Sequence, residues 1–178
     1  RVPLKTLVTG GMRSGKSTCA EELLASAPAV TYLAPGPPAD PGADAEWAAR
    51  VAAHQARRPS TWRTVETLEI ARALDRAAQP VLLDCLGTWL TGHLDRAGAW
   101  EDRPGWEQSL EREVDDLVVA WAGCPHRLVA VTNEVGMGLV GEHRSGRVFT
   151  DWLGRLNQRI AALSDEVILV VAGRRLRL

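Results

Sequence analysis

An α/β fold, a mainly parallel β-sheet flanked by helices on both faces, is predicted by three features of the chain. Short apolar runs alternate with helix-compatible stretches along its whole length. Those runs are continuously apolar rather than alternating, as expected of strands buried on both faces. A glycine-rich segment, Gly10-Gly11-Met12-Arg13-Ser14-Gly15-Lys16-Ser17, follows the first run directly and reads G-x-x-x-x-G-K-S. Strand, glycine-rich loop and helix in that order predict the phosphate-binding loop of a P-loop NTPase fold.

The elements follow in chain order. The run 4–9 is the strand that feeds the loop, and 17–27 is the helix that leaves it. A second strand is expected at 30–33. The stretch 35–43, Pro-Gly-Pro-Pro-Ala-Asp-Pro-Gly-Ala, cannot be helical and reads as a surface loop. A helix is expected over 46–56, closed by the proline at 59. Next come a helix at 68–78, a strand at 81–84 and a helix at 86–94. An irregular stretch over 96–105 precedes a helix at 106–121. A strand at 128–132, a helix at 147–163 and a strand at 167–171 complete the alternation. The tail 174–178 alternates weakly and suits an edge strand.

At 178 residues the chain fits one nucleotide-binding domain over 1–178, since no independent core follows either irregular stretch. The apolar fraction of 46% and charged fraction of 24% are ordinary for a globular protein. A formal net charge of −1 argues against a general nucleic-acid binder. No apolar run approaches the roughly 20 residues of a membrane span, and no signal peptide is visible. Three cysteines without metal-ligand spacing read as reduced thiols of a cytoplasmic protein. The seven tryptophans are assigned to core and interface.

The chemistry begins at the loop. Its glycines let successive N–H groups point inward as donors, and the following helix offers the positive end of its dipole. Lys16 is placed to reach the β/γ-phosphates and the Ser17 hydroxyl to hold Mg²⁺. Lysine occurs only at positions 5 and 16, which sets Lys16 apart from general surface charge. The strand Val81-Leu82-Leu83-Asp84 ends in a carboxylate, as does the strand that completes a Mg²⁺ site beside such a loop. An Asp in that place also suits a helix N-cap.

His54 carries two readings. It shares a helix face with Arg50, four residues earlier, and Arg57 and Arg58 follow. By spacing alone it is a solvated histidine on a basic helix. It also has the surroundings of an imidazole nucleophile that takes a nucleotidyl group from a triphosphate. Asn133-Glu134-Val135-Gly136-Met137-Gly138 reads either as a close-packed loop beside the site or as a turn. Arg144, Arg147, Asp151, Asn157 and Gln158 read as a solvated helix face.

Together these motifs resemble the bifunctional adenosylcobinamide kinase / adenosylcobinamide-phosphate guanylyltransferase family of cobalamin biosynthesis. The resemblance covers Thr9 to Ser17, Tyr32-Leu33-Ala34, and Glu46-Trp47-Ala48-Ala49-Arg50 leading to His54. It continues through Arg58-Pro59-x-x-Trp62, Asp84-Cys85-Leu86, Asn133 to Gly138, and Gly154-x-x-Asn157-Gln158. It implies two reactions: phosphorylation of adenosylcobinamide with ATP or GTP, then transfer of GMP from GTP onto adenosylcobinamide phosphate. It implies a guanylylated histidine at His54. It also implies nucleotide contacts at Gly10, Gly11, Met12, Arg13, Ser14, Gly15, Lys16, Ser17, Ala34, Pro35, Gly36, Gln55, Ala56, Arg57, Arg58, Glu66 and Asp84. Metal would sit on Ser17 and Asp84, and the assembly would be a homotrimer. Two rival readings stand beside it. One is an ordinary P-loop small-molecule kinase without a covalent GMP intermediate. The other is a nucleotide-dependent switch module.

Overall fold

The computed structural model describes residues 4–37 and 40–178. Pro38 and Ala39, within the proline-rich loop expected at 35–43, lie outside the described residues. Thirteen elements follow one another: β1 (Lys5–Gly10), α1 (Lys16–Leu23), β2 (Val30–Ala34), α2 (Ala45–Arg57), β3 (Trp62–Glu66), α3 (Ile70–Asp75) and β4 (Val81–Asp84), then α4 (Leu86–Ala97), α5 (Trp106–Gly123), β5 (Leu128–Asn133), α6 (Arg144–Ala162), β6 (Glu166–Val171) and β7 (Arg174–Arg177). The strands form one seven-stranded sheet in the order β3-β2-β4-β5-β1-β6-β7. All pairs are parallel except β6–β7, which is antiparallel.

The apolar runs of β1, β4 and β5 are buried on both faces, as the sequence implies, whereas β6 is covered less and Val171 is exposed. Adjacent residues point to opposite sides: Leu7, Leu83 and Ala130 join the core beneath α3–α6, while Val8, Leu82, Val129 and Val131 join the core beneath α1. The two layers are unequal. Four helices cover one face, with Trp89, Trp106, Trp121 and Trp152 filling the space against the sheet. On the other face α1 contributes Cys19 and Ala20.

One strand was not foreseen. β3 carries Trp-Arg-Thr-Val-Glu at the sheet edge, where only Trp62 is buried. An edge strand with one covered position has no apolar run to betray it. The expected helix over 17–27 ends at Leu23 and the one over 68–78 spans only Ile70–Asp75. α4 runs three residues past the expected end and stops at Gly98, whose φ of 73° closes it in the left-handed conformation. β7 is the expected edge strand.

The parallel strands β1, β2, β4 and β5 carry Gly10, Ala34, Asp84 and Asn133 at their carboxyl ends. Sheets of this kind hold ligands beyond that edge. Helix α2 has no buried residue.

Candidate active site

The glycine-rich loop is held in shape by its own backbone and by the β6–β7 turn. Gly15 adopts φ 94° and forms the N-cap of α1, a conformation a side chain would strain. At Gly10 a Cβ would stand 2.5 Å from Ser14 Oγ and 2.6 Å from the Val170 carbonyl oxygen, so only glycine fits. Ser14 N–H donates to the Gly11 carbonyl (3.2 Å), and Gly173 N–H donates to the Ser14 carbonyl (2.8 Å). The Lys16 ammonium spans the loop and donates to the Gly11 carbonyl at 3.0 Å. The cradle is therefore formed by the chain itself.

Above the loop lies a cavity of about 360 Å³ between the strand ends and α2. Asp84, at the end of β4, lines it and accepts a hydrogen bond from the Tyr32 hydroxyl at 3.0 Å. His54 Nδ1 stands 3.6 Å from the same carboxylate oxygen. Burial beside this carboxylate pushes the Tyr32 phenol well above its ordinary value. Burial lowers the His54 pKa below 6.5; Asp84 and Glu21 act in the opposite direction, and Arg57 and Arg58 reinforce the lowering. The imidazole is thus neutral at neutral pH, with the Nδ1 edge toward Asp84.

Arg58 ties this arrangement together. Its guanidinium lies 3.7 Å from the centroid of the Tyr32 ring and donates to the His54 carbonyl (3.1 Å) and the Thr64 hydroxyl (2.9 Å). One side chain so fixes the end of α2 to β2 and β3. Arg57 reaches Glu21 on α1 (3.2 Å), and the Trp47 indole donates to the Pro37 carbonyl (3.0 Å). Of the charged residues around the cavity, Arg13, Lys16, Arg50 and Arg58 outnumber Glu66 and Asp84, a balance that suits a polyanion.

Of the residues singled out in the sequence, Met12, Arg13, Lys16, Ser17, Ala34, Gly36, His54, Gln55, Arg58, Glu66 and Asp84 line this one cavity. Gly10, Gly11, Ser14 and Gly15 form the loop without lining it, and Pro35 is buried. Ala56 and Arg57 are exposed on α2 outside the cavity wall. Arg50, which shares a helix face with His54, also faces in.

Other lining residues carried weaker signals or none. Tyr32, Trp47, Thr64, Gly87, Thr88, Thr91 and Phe149 line the cavity as well. Trp47 departs from the core role expected of the tryptophans. Asn133 lines the cavity, but the loop after it is not close-packed: Gly136, Met137 and Gly138 are exposed, and a Cβ at Gly138 would meet nothing within 4 Å. Asn157 is no solvated residue: its carboxamide accepts from the Thr132 hydroxyl (2.6 Å) and donates to the Asn133 carbonyl (3.0 Å), pinning α6 to β5. Glu21, 36 residues from Arg57 in sequence, had no local pattern to reveal it. The three cysteines are free, and Cys19 and Cys124 are buried.

Comparison with known proteins accords with this geometry. Residues 6–178 match the family described as CobU, cobinamide kinase / cobinamide phosphate guanyltransferase. The chain is 45% identical over 176 residues to the bifunctional adenosylcobalamin biosynthesis protein CobU of Salmonella typhimurium, covering 94% of this chain and 95% of that relative. It is 43% identical to the protein of the same name from Escherichia coli, over 94% of this chain and 95% of the relative. It is 38% identical to the bifunctional adenosylcobalamin biosynthesis protein CobP of Pseudomonas aeruginosa, over 96% and 94%. Among solved structures it superposes with a prototypical ATPase of a bacterial type III secretion system at TM-score 0.57 and 13% identity, covering 94% of this chain and 51% of that one. The assembled type III secretion ATPase EscN of enteropathogenic E. coli gives TM-score 0.52 at 14% identity, covering 94% and 43%. The chain spans about half the length of these ATPases, and the likeness is one of fold.

Proposed function

The chain belongs to the cobinamide kinase / cobinamide phosphate guanyltransferase family, and we propose that the cavity above the glycine-rich loop serves both transfers. In the first, the hydroxyl of the adenosylcobinamide side arm attacks the γ-phosphorus of ATP or GTP, and the nucleoside diphosphate leaves. The loop amides and Lys16 face the charge that spreads over the transferring phosphoryl oxygens. Lys16 would exchange its bond to the Gly11 carbonyl for one to phosphate.

In the second, His54 attacks the α-phosphorus of GTP. An N–P bond forms, the bond to the β-phosphate oxygen breaks, and pyrophosphate leaves. An oxygen of adenosylcobinamide phosphate then attacks the same phosphorus. The N–P bond breaks, GMP is joined to the substrate phosphate, and the imidazole is free again. Two easier displacements replace one difficult step. The single observation that carries this reading is His54 itself. The fold brings a neutral imidazole, with its Nδ1 edge on Asp84, into the same cavity as Lys16 and Ser17. With Nδ1 protonated toward Asp84, Nε2 presents the lone pair, and the carboxylate steadies the imidazolium that forms.

Ser17 and Asp84 offer hard oxygen ligands on one cavity and fit Mg²⁺ in type. No cluster of three His, Cys, Asp or Glu side chains able to hold a metal occurs among the described residues. The ion would therefore arrive with the nucleotide, whose phosphates complete its shell. When bound it neutralises charge on those phosphates. The nucleotide contacts inferred for Ala34, Pro35, Gly36, Gln55, Ala56, Arg57 and Glu66 belong to this reading. Copies of the chain are inferred to associate as a cytoplasmic homotrimer. Exposed Met137 (79%), Leu139 (102%) and Val140 (82%) support association. No helix among the described residues is long and apolar enough to cross a membrane.

The test is covalent labelling. The protein incubated with Mg²⁺ and GTP labelled at the α-phosphate should carry acid-labile, alkali-stable label after denaturation. A His54→Ala variant should carry none. Equal label on that variant would remove the nucleophile assignment, and no label on the parent would leave an ordinary kinase.

A further inference from the structure

The geometry points to an acceptor subsite on the far side of the same cavity, formed by Gly87, Thr88, Thr91, Asn133 and Phe149, that receives the uncharged amide- and hydroxyl-bearing arm of the corrinoid. This rests on the two-transfer reading above and adds the place of the second substrate.

The cavity is divided by charge. Its cationic residues, Arg13, Lys16, Arg50 and Arg58, come from the glycine-rich loop and α2. The wall made by α4, the end of β5 and α6 offers only neutral groups. A triphosphate is drawn to the first half; an uncharged amide arm can lie along the second without losing its hydration to fixed charge. Asp84 stands between them, next in sequence to Cys85 and the start of α4.

Three details show that this wall is shaped rather than incidental. Asn133 presents its carboxamide to the cavity, and no hydrogen bond engages that group among the described residues. Its backbone carbonyl, in contrast, is fixed by Asn157 at 3.0 Å. The Thr91 hydroxyl donates to the Gly87 carbonyl (3.0 Å), so that hydroxyl is engaged within its own helix. At Gly87 the missing side chain leaves a gap: a Cβ there would stand 3.7 Å from Cys85 Sγ, 3.7 Å from the Phe149 ring and 3.8 Å from Asn133 Oδ1. These are ordinary contact distances. The protein tolerates a methyl at this point, and that methyl would occupy the opening between Phe149 and Asn133.

In both reactions the arm lies in one place, with its tip toward the cationic half. The tip is a hydroxyl in the first transfer and a phosphate in the second. Phe149 offers an apolar face to the arm's methylene groups, and the Asn133 carboxamide can pair with an amide or hydroxyl.

The experiment compares the parent with Gly87→Ala and Asn133→Ala, measuring KM for adenosylcobinamide, KM for GTP, formation of the GMP adduct from GTP alone, and thermal unfolding. One added methyl in a fitted pocket should raise the corrinoid KM about tenfold in Gly87→Ala. Asn133→Ala should raise it severalfold. Both should form the adduct from GTP at the parent rate, because that half-reaction needs no acceptor. Gly87→Ala should unfold no earlier than the parent. An unchanged corrinoid KM in both variants would overturn the subsite. So would a rise in the KM for GTP equal to that for the corrinoid. Absence of adduct in the parent would instead overturn the two-transfer reading.

Discussion

In the proposed mechanism His54 concentrates the chemistry. Burial lowers its pKa, so the imidazole stays neutral to a pH below its ordinary 6.5. Adduct formation from GTP should therefore hold its rate as pH falls through 6.5, and decline only under more acidic conditions. A rate profile falling at or above 6.5 would mean that the ring is solvated. Gly10 makes a different demand. Gly10→Ala forces a methyl against Ser14 Oγ and the Val170 carbonyl, and the backbone cannot yield. We expect a loss of about 1–3 kcal/mol of stability, read by denaturant titration, together with loss of nucleotide binding. At this scale the sequence was informative where chemistry imposes a spacing. G-x-x-x-x-G-K-S and the strand ending at Asp84 announced themselves, and so did Arg50 on the face of His54. Tyr32, Gly87 and Phe149 did not. Their roles depend on which strands and helices meet, and nothing in their local pattern separates them from core residues.

At the scale of elements, α2 is the piece on which the proposed second transfer depends. It has no buried residue, and polar ties hold it: Arg57 to Glu21, Arg58 to Thr64 and Tyr32, and Trp47 to Pro37. Such ties are individually weak, about 0–1 kcal/mol for an exposed pair. Glu21→Gln should thus slow adduct formation by about threefold while leaving phosphorylation of adenosylcobinamide near the parent rate, as assayed with ATP. Equal loss in both assays would show that Glu21 supports the whole fold rather than the position of α2. The central strands were readable because parallel strands buried on both faces must be continuously apolar. β3 escaped because an edge strand with only Trp62 covered obeys no such rule. The early ends of α1 and α3 reflect turns that close before the helix-compatible sequence does.

The whole molecule responds to acid through a buried histidine. His93 is 3% exposed, stacked against Trp89, with Nε2 3.3 Å from the Leu68 carbonyl and Nδ1 3.8 Å from Glu113. Burial lowers its pKa despite the opposing pull of the Leu68 carbonyl, Glu113 and Glu69; Arg96 adds to the lowering. Below pH 6.5 the unfolded chain gains a proton that the folded ring resists. Stability should therefore fall as pH drops below 6.5, by up to about 1.4 kcal/mol per pH unit for this group. A His93→Gln variant should show a shallower decline of Tm between neutral and mildly acidic pH. Association belongs to this scale too. Replacing Met137, Leu139 and Val140 together with Ser should shift the mass in sedimentation equilibrium from the proposed trimer toward monomer. An unchanged trimer would place the interface elsewhere. The most direct test of the account is the intact mass of the protein after incubation with GTP and Mg²⁺, followed by peptide mapping. A gain of one GMP located on His54 is predicted; an unmodified chain, or GMP on another residue, would contradict it.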